Sequence, residues 1–157
     1  MKKKIIIVVS LILVIVLAIV LILVLNKKEE PVKTDEETKV IEEIKLIVDD
    51  KELIVKLEKN LTSDALLEKL DSGDITIDLE EYGGFEKVGD LGFKLPRADK
   101  YLKTSPGDVI LYNGNQITIH YGTNTWNYTK IGKITNVNEE ELKEVLGEGN
   151  VTIRITK

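Results

Sequence analysis

No cysteine occurs among the 157 residues, so no disulfide holds this chain and no thiolate serves as nucleophile, metal ligand or lipid attachment point. Histidine occurs once, at His120, and one imidazole without cysteines or a carboxylate pair beside it falls short of a metal ligand set, so no metal or cofactor is expected. Arginine is limited to Arg97 and Arg154, and 27 acidic residues outweigh 22 basic ones. That balance argues against a nucleic-acid partner, which rewards clustered Lys and Arg. Serines 63, 72 and 105 have no G-x-S-x-G context, and neither G-x-G-x-x-G nor a Walker pattern is present. Serine hydrolysis and nucleotide binding therefore lack a signal. Aromatic side chains are few, 5% of the chain, with Trp126 the single tryptophan.

One feature is present in excess. Residues 5–25 form an apolar run with Ser10 as its single polar member and no charge. As a helix, such a run reaches about 30 Å, the thickness of a bilayer's hydrocarbon core. It is longer than a signal peptide's apolar region and lacks an A-x-A pattern, which predicts an uncleaved anchor over residues 1–26, with a cleaved signal as the alternative. Lys2, Lys3 and Lys4 precede it, whereas Lys27 and Lys28 after it are offset by Glu29 and Glu30. The positive-inside bias then places the remainder outside the cytoplasm, tethered to the cell membrane by a single pass. Taking Lys2, Lys3 and Lys4 from the 22 basic residues leaves 19 against 27 acidic, hence −8, which disfavours a domain lying flat on anionic lipid.

After the anchor, residues 27–39 are charged and aperiodic and read as a linker. From residue 40 to 157 short alternating segments follow one another. Ile44, Leu46 and Val48, then Leu53, Val55 and Leu57, predict a hairpin. A short helix follows up to Leu70, capped by Thr62 or Ser63, and then a strand over Asp74–Glu80. Glu81–Thr104 carries interleaved Gly and apolar residues and reads as a packed loop. Asp108–Tyr112 and Gln116–Tyr121 flank Asn113-Gly114, the dipeptide suited to a tight hairpin turn. A polar loop over Gly122–Asn127 leads to a strand from Tyr128 to Ile134. Asn138 caps a helix over Glu139–Leu146 that stops at Gly147, and Val151–Thr156 is the last strand. The fold class is mainly β: a closed or nearly closed barrel of seven or eight strands with two short helices.

The candidate binding residues are Tyr82, Phe85, Tyr112, Gln116, Thr118, His120 and Trp126, with Tyr121 and Tyr128 beside the tryptophan. Trp126 either stacks on a ligand or closes the barrel end. Gln116, Thr118 and His120 share one face of their strand, and an antiparallel sheet commonly leaves such a polar face to water, so solvent exposure is the expectation for His120. Glu80, Glu81 and Glu86 offer carboxylates whose separation the spacing does not fix. Asn60, Asn127 and Asn150 head Asn-x-Thr triplets at chance frequency for this composition.

Several stretches are familiar together: the hairpin, Asn60 to Leu70, Leu79-Glu80-Glu81-Tyr82-Gly83-Gly84, Leu95-Pro96, Pro106-Gly107-Asp108, Leu111-Tyr112, Gly114-Asn115-Gln116, and Tyr121 through Ile134. From about Lys45 to Ile155 the chain resembles the bacterial cyclophilin-like family. The resemblance implies an eight-stranded cyclophilin-like barrel closed by two helices. True cyclophilins isomerise X-Pro bonds with an arginine in a Phe-His-Arg motif. No such motif occurs here, and Thr118 stands where a pocket phenylalanine would be, while Gly114-Asn115-Gln116 looks like the family's second pocket strand. The expected function is a peptide- or small-molecule-binding module; the alternative is a divergent peptidyl-prolyl isomerase.

Overall fold

A computed structural model describes residues 17–19 and 43–157. Residues 17–19 are helical, and the rest of the 5–25 run, with the 27–39 linker, lies outside the described residues. Among the described residues, no helix is long and apolar enough to cross a membrane.

The remaining elements are β1 (Glu43–Val48), β2 (Lys51–Leu57), α1 (Leu61–Leu70), β3 (Ile75–Tyr82), β4 (Glu86–Asp90), β5 (Lys100–Lys103), β6 (Asp108–Tyr112), β7 (Gln116–His120), β8 (Thr125–Ile134), α2 (Glu139–Leu146) and β9 (Val151–Thr156). Every strand pairing is antiparallel. The order β2-β1-β9-β3-β4-β7-β6-β8 closes into a ring because β8 returns to β2, pairing Val55 with Ile134 and Leu57 with Gly132. Gly132 permits that closure: a Cβ there would lie 2.5 Å from the Lys56 carbonyl oxygen. This is a closed eight-stranded barrel, as the alternation predicts. A ninth strand, β5, stands outside the ring and pairs with the first half of β8 alone.

Alternation sets what fills the barrel. Leu46, Val55, Leu79, Leu111, Ile119 and Ile155 point inward and are buried, and Leu66 and Leu70 of α1 with Leu142 and Leu146 of α2 join the same core. Each such side chain contributes about 1.5–3 kcal/mol on burial. The β6–β7 turn is as the dipeptide dictates, with φ of 52° at Asn113 and 83° at Gly114. Asn138 forms a full capping box with Glu141 at the start of α2, and Lys143 reaches Glu139 at 2.6 Å.

Three local expectations are corrected. The N-cap of α1 is Asn60, whose Oδ1 accepts from the amides of Thr62 and Ser63 at 3.0 Å each. Thr62 and Ser63 are buried within the first turn and donate their hydroxyls to the carbonyls of Pro96 (2.6 Å) and Ile131 (3.0 Å). The stretch read as one loop, Glu81–Thr104, contains β4 and β5. Finally, β8 begins at Thr125, because its first residues pair with β5 and not with the barrel.

Candidate functional site

Strands β4, β7 and β6 are adjacent, and their outward residues form one face. Glu86 opposes His120, Val88 opposes Thr118, and Asp90 opposes Gln116; across the next pair Thr118 opposes Ile110 and Gln116 opposes Tyr112. Asp90 at one end of this face is exposed, but around His120 the face is sealed from water. His120 is 0% exposed and Thr118 is buried, which corrects the expectation that the polar side of β7 meets water. The covering layer comes from distant segments. Phe85 stacks on the imidazole with ring centroids 5.9 Å apart, and Tyr128 meets it edge-on at 5.6 Å. Phe85 is held there by its carbonyl, which accepts from the amides of Tyr121 and Gly122 at 2.9 Å each. Gly122 leaves the room: a Cβ there would lie 2.8 Å from the Phe85 Cβ.

Both imidazole nitrogens of His120 have a partner. Nε2 stands 2.9 Å from Glu86 Oε2, within ion-pair distance though off hydrogen-bond geometry, and Nδ1 is 3.1 Å from Thr104 Oγ1. Thr104 is fixed in turn, its amide donating to the Asn124 carbonyl and its hydroxyl oxygen accepting from the Asn124 amide, at 2.8 Å each. Asn124 donates through Nδ2 to the Tyr128 hydroxyl at 2.8 Å. Burial, and secondarily the charge of Glu86, holds the Tyr128 phenol above the ordinary tyrosine range. The Thr118 hydroxyl is buried without a hydrogen-bond partner.

The aromatic contacts continue in both directions. Tyr82 meets Phe85 at 6.2 Å and Tyr112 meets Tyr128 at 6.0 Å, both edge-on. Trp126, two residues before Tyr128 on the same strand, shares its side and is 55% exposed. The structure therefore brings Tyr82, Phe85, Tyr112, His120 and, through Tyr128, Trp126 into one row, with Gln116 and Thr118 beside it on β7. Sequence reasoning missed Thr104 and Asn124. A threonine ahead of a Ser-Pro-Gly turn and an asparagine in a loop carry no periodic signal.

The carboxylates separate. Glu86 lies on the outer face, whereas Glu81 and the fully buried Lys87 point to the other side of β3 and β4. Lys87 Nζ pairs with Glu81 Oε2 at 2.8 Å and donates to the Gly149 carbonyl at 2.5 Å, and the Tyr121 hydroxyl donates to Glu81. Beside them lies a groove of about 560 Å³ lined by Glu81, Tyr121, Lys143, Glu144, Leu146 and residues 147–149. Glu81 and Glu86 are thus not a catalytic pair. Both arginines are tied up: Arg97 with Asp99, which raises the guanidinium pKa, and Arg154 with Asp74 at 2.6 Å. Among the described residues, no group of three His, Asp or Glu side chains is placed to hold a metal ion.

The model of the cyclophilin-like family matches residues 46–156. No curated protein matches the chain. Among solved structures it is similar to the solution structure of a hypothetical protein from Archaeoglobus fulgidus, with a TM-score of 0.55 and 14% identity over 73% of this chain and 92% of that one. Identity that low speaks for the fold alone.

Proposed function

The chain belongs to the cyclophilin-like family, and from that premise we propose that it is a recognition module that binds an extended peptide along the row from Tyr82 to Trp126, without isomerising proline. The observation that carries this reading is the state of His120. Its ring is packed between Phe85 and Tyr128 and both nitrogens are engaged, so the imidazole organises the surface and does not present itself to a substrate. Neither arginine is free to stabilise a twisting amide, since each is held by an aspartate. Exposed rings at the ends of a rigid, filled face suit stacking on peptide side chains or proline rings. The apolar run over residues 5–25 supports a second part of the proposal: the barrel is tethered to the cell membrane and works outside the cytoplasm.

A protease-coupled proline isomerisation assay, run beside a peptide titration followed by Trp126 fluorescence, tests the reading. Binding without acceleration of isomerisation is expected. Acceleration abolished by Gln116→Ala overturns it in favour of a divergent isomerase.

A further inference from the structure

Strand β5 is the open end of the sheet. Its partner on one side is β8, and on the other side no strand pairs with it among the described residues. The Thr104 amide donates to the Asn124 carbonyl, which sets the phase of the β5–β8 ladder. Alternation of an antiparallel ladder then directs the amides and carbonyls of Leu102 and Lys100 toward β8, and those of Tyr101 and Lys103 toward the open edge. Tyr101 is 75% exposed, and Trp126 lies directly across from Leu102.

The charge here runs against the rest of the molecule. Between Lys94 and Lys103 stand four basic residues, Lys94, Arg97, Lys100 and Lys103, against the single acid Asp99, in a chain of net charge −5. Asp99 is claimed by Arg97, and Lys94, Lys100 and Lys103 form no ion pair among the described residues. Lysines on an edge strand also guard against indiscriminate pairing. That role and selective docking are compatible, because a positive edge rejects neutral and basic strands and admits an acidic one.

We propose that the open edge of β5 is where the bound peptide docks, as an added strand, and that the peptide is an extended acidic segment of a partner protein. This rests on the peptide-binding reading above and names the chemistry of the peptide. Tyr101 and Lys103 share one face of β5, and Leu102 and Lys100 share the other with Trp126. An alternating strand whose backbone bonds to Tyr101 and Lys103 sets its charged positions beside Lys103 and turns its apolar positions toward Leu102 and Trp126.

The test uses the full-length chain and three short peptides: alternating Glu and Val, and the same with Gln or Lys for Glu. The Glu peptide is expected to change Trp126 fluorescence, to slow hydrogen exchange at the Tyr101 and Lys103 amides, and to bind about ten-fold more weakly to the K100E/K103E double variant. Rising salt weakens it in the unaltered chain, a readout independent of how the variant folds. Equal affinity for the Glu and Gln peptides with no loss in K100E/K103E overturns the acidic-segment inference while peptide binding stands. Binding of none of the three overturns both. A Trp126 response to vesicles containing anionic lipid, with none to the Glu peptide, overturns the inference in favour of a membrane-facing edge.

Discussion

Glu86 and Lys87 are neighbours on β4, and each anchors a buried charged cluster on its own side of the sheet. The two clusters are built differently. On the outer face Glu86 meets His120, and both partners are sealed: the side chain of Glu86 is 8% exposed. On the other side Lys87 is sealed as well, but its partner Glu81 is 38% exposed. Removing one member of a buried pair is costly when the survivor is left desolvated. The outer cluster has no route to water for the survivor, whereas Glu81 can turn into solvent. The difference separates a rigid platform from a hinged ionic contact beside a groove.

His120→Phe breaks this comparison at its strongest point. The substitution keeps an aromatic ring between Phe85 and Tyr128 but leaves the Glu86 carboxylate buried alone, and it is expected to cost about 3–5 kcal/mol of unfolding free energy by urea titration. Adding Glu86→Leu to it is expected to restore most of the loss, since a well-packed apolar pair often replaces a buried polar one at no net cost. Failure of the double variant to recover would mean that the ring contacts, not the stranded charge, dominate.

Lys87→Met, the matching change on the other side, keeps most of the apolar stem and frees Glu81 to hydrate. The Gly149 carbonyl loses one donor, so the expected cost is about 1–2 kcal/mol in the same titration. A cost equal to that of His120→Phe would remove partner exposure as the deciding variable.

Which parts of this arrangement could be read from the residues follows the same division. The β6–β7 hairpin is written in Asn113-Gly114 and the start of α2 in Asn138 and Glu141, where local backbone chemistry decides. The strand β4 is hidden because its sequence, Glu-Lys-Val-Gly-Asp, has one large apolar residue, and two of its three charged residues, Glu86 and Lys87, are buried by partners far along the chain. The expectation of a wet polar side for β7 fails for a related reason. Phe85, Thr104 and Tyr128, which cover it, come from three separate segments, and periodicity within β7 carries no trace of them. Likewise Asn60 outcompetes Thr62 and Ser63 as the cap because those hydroxyls are drawn to Pro96 and Ile131 across the fold.

A third cluster sharpens the comparison at lower amplitude. Asp108 is buried on β6 with Lys130 at 2.9 Å and Lys133 at 3.2 Å, one sealed carboxylate under two half-open lysines. Burial pulls its pKa upward, but the Lys130 contact, the Ser105 amide and the two ammonium charges outweigh burial and hold it below the ordinary carboxylate value. A depressed folded-state pKa stabilises the protein above the unfolded value, near 3.9, and that contribution is lost as pH falls through the depressed one. Asp108→Asn is therefore expected to flatten part of the acid limb of stability measured against pH below about 4, leaving the neutral region offset by a constant. An unchanged acid limb would assign that limb to other carboxylates.

Trp126→Ala is the smallest perturbation to the fold and the most direct test of the platform. The indole lies on the open ribbon of β5 and β8, is more than half exposed, and is absent from the buried core. Its removal is expected to change unfolding free energy by no more than about 0.5 kcal/mol, as for a surface site away from caps and networks. Peptide affinity, followed by backbone amide shifts since the fluorophore is gone, is expected to fall by about ten-fold, consistent with an exposed aromatic acting as an anchor. The two numbers together distinguish the roles of the row. A residue that closes the barrel end loses stability on truncation, and one that meets a partner loses affinity. A loss of about 3 kcal/mol or more of stability, on the order of a core aromatic truncation, would place Trp126 with His120 among the groups that build the face and leave Tyr82 as the exposed end of the row.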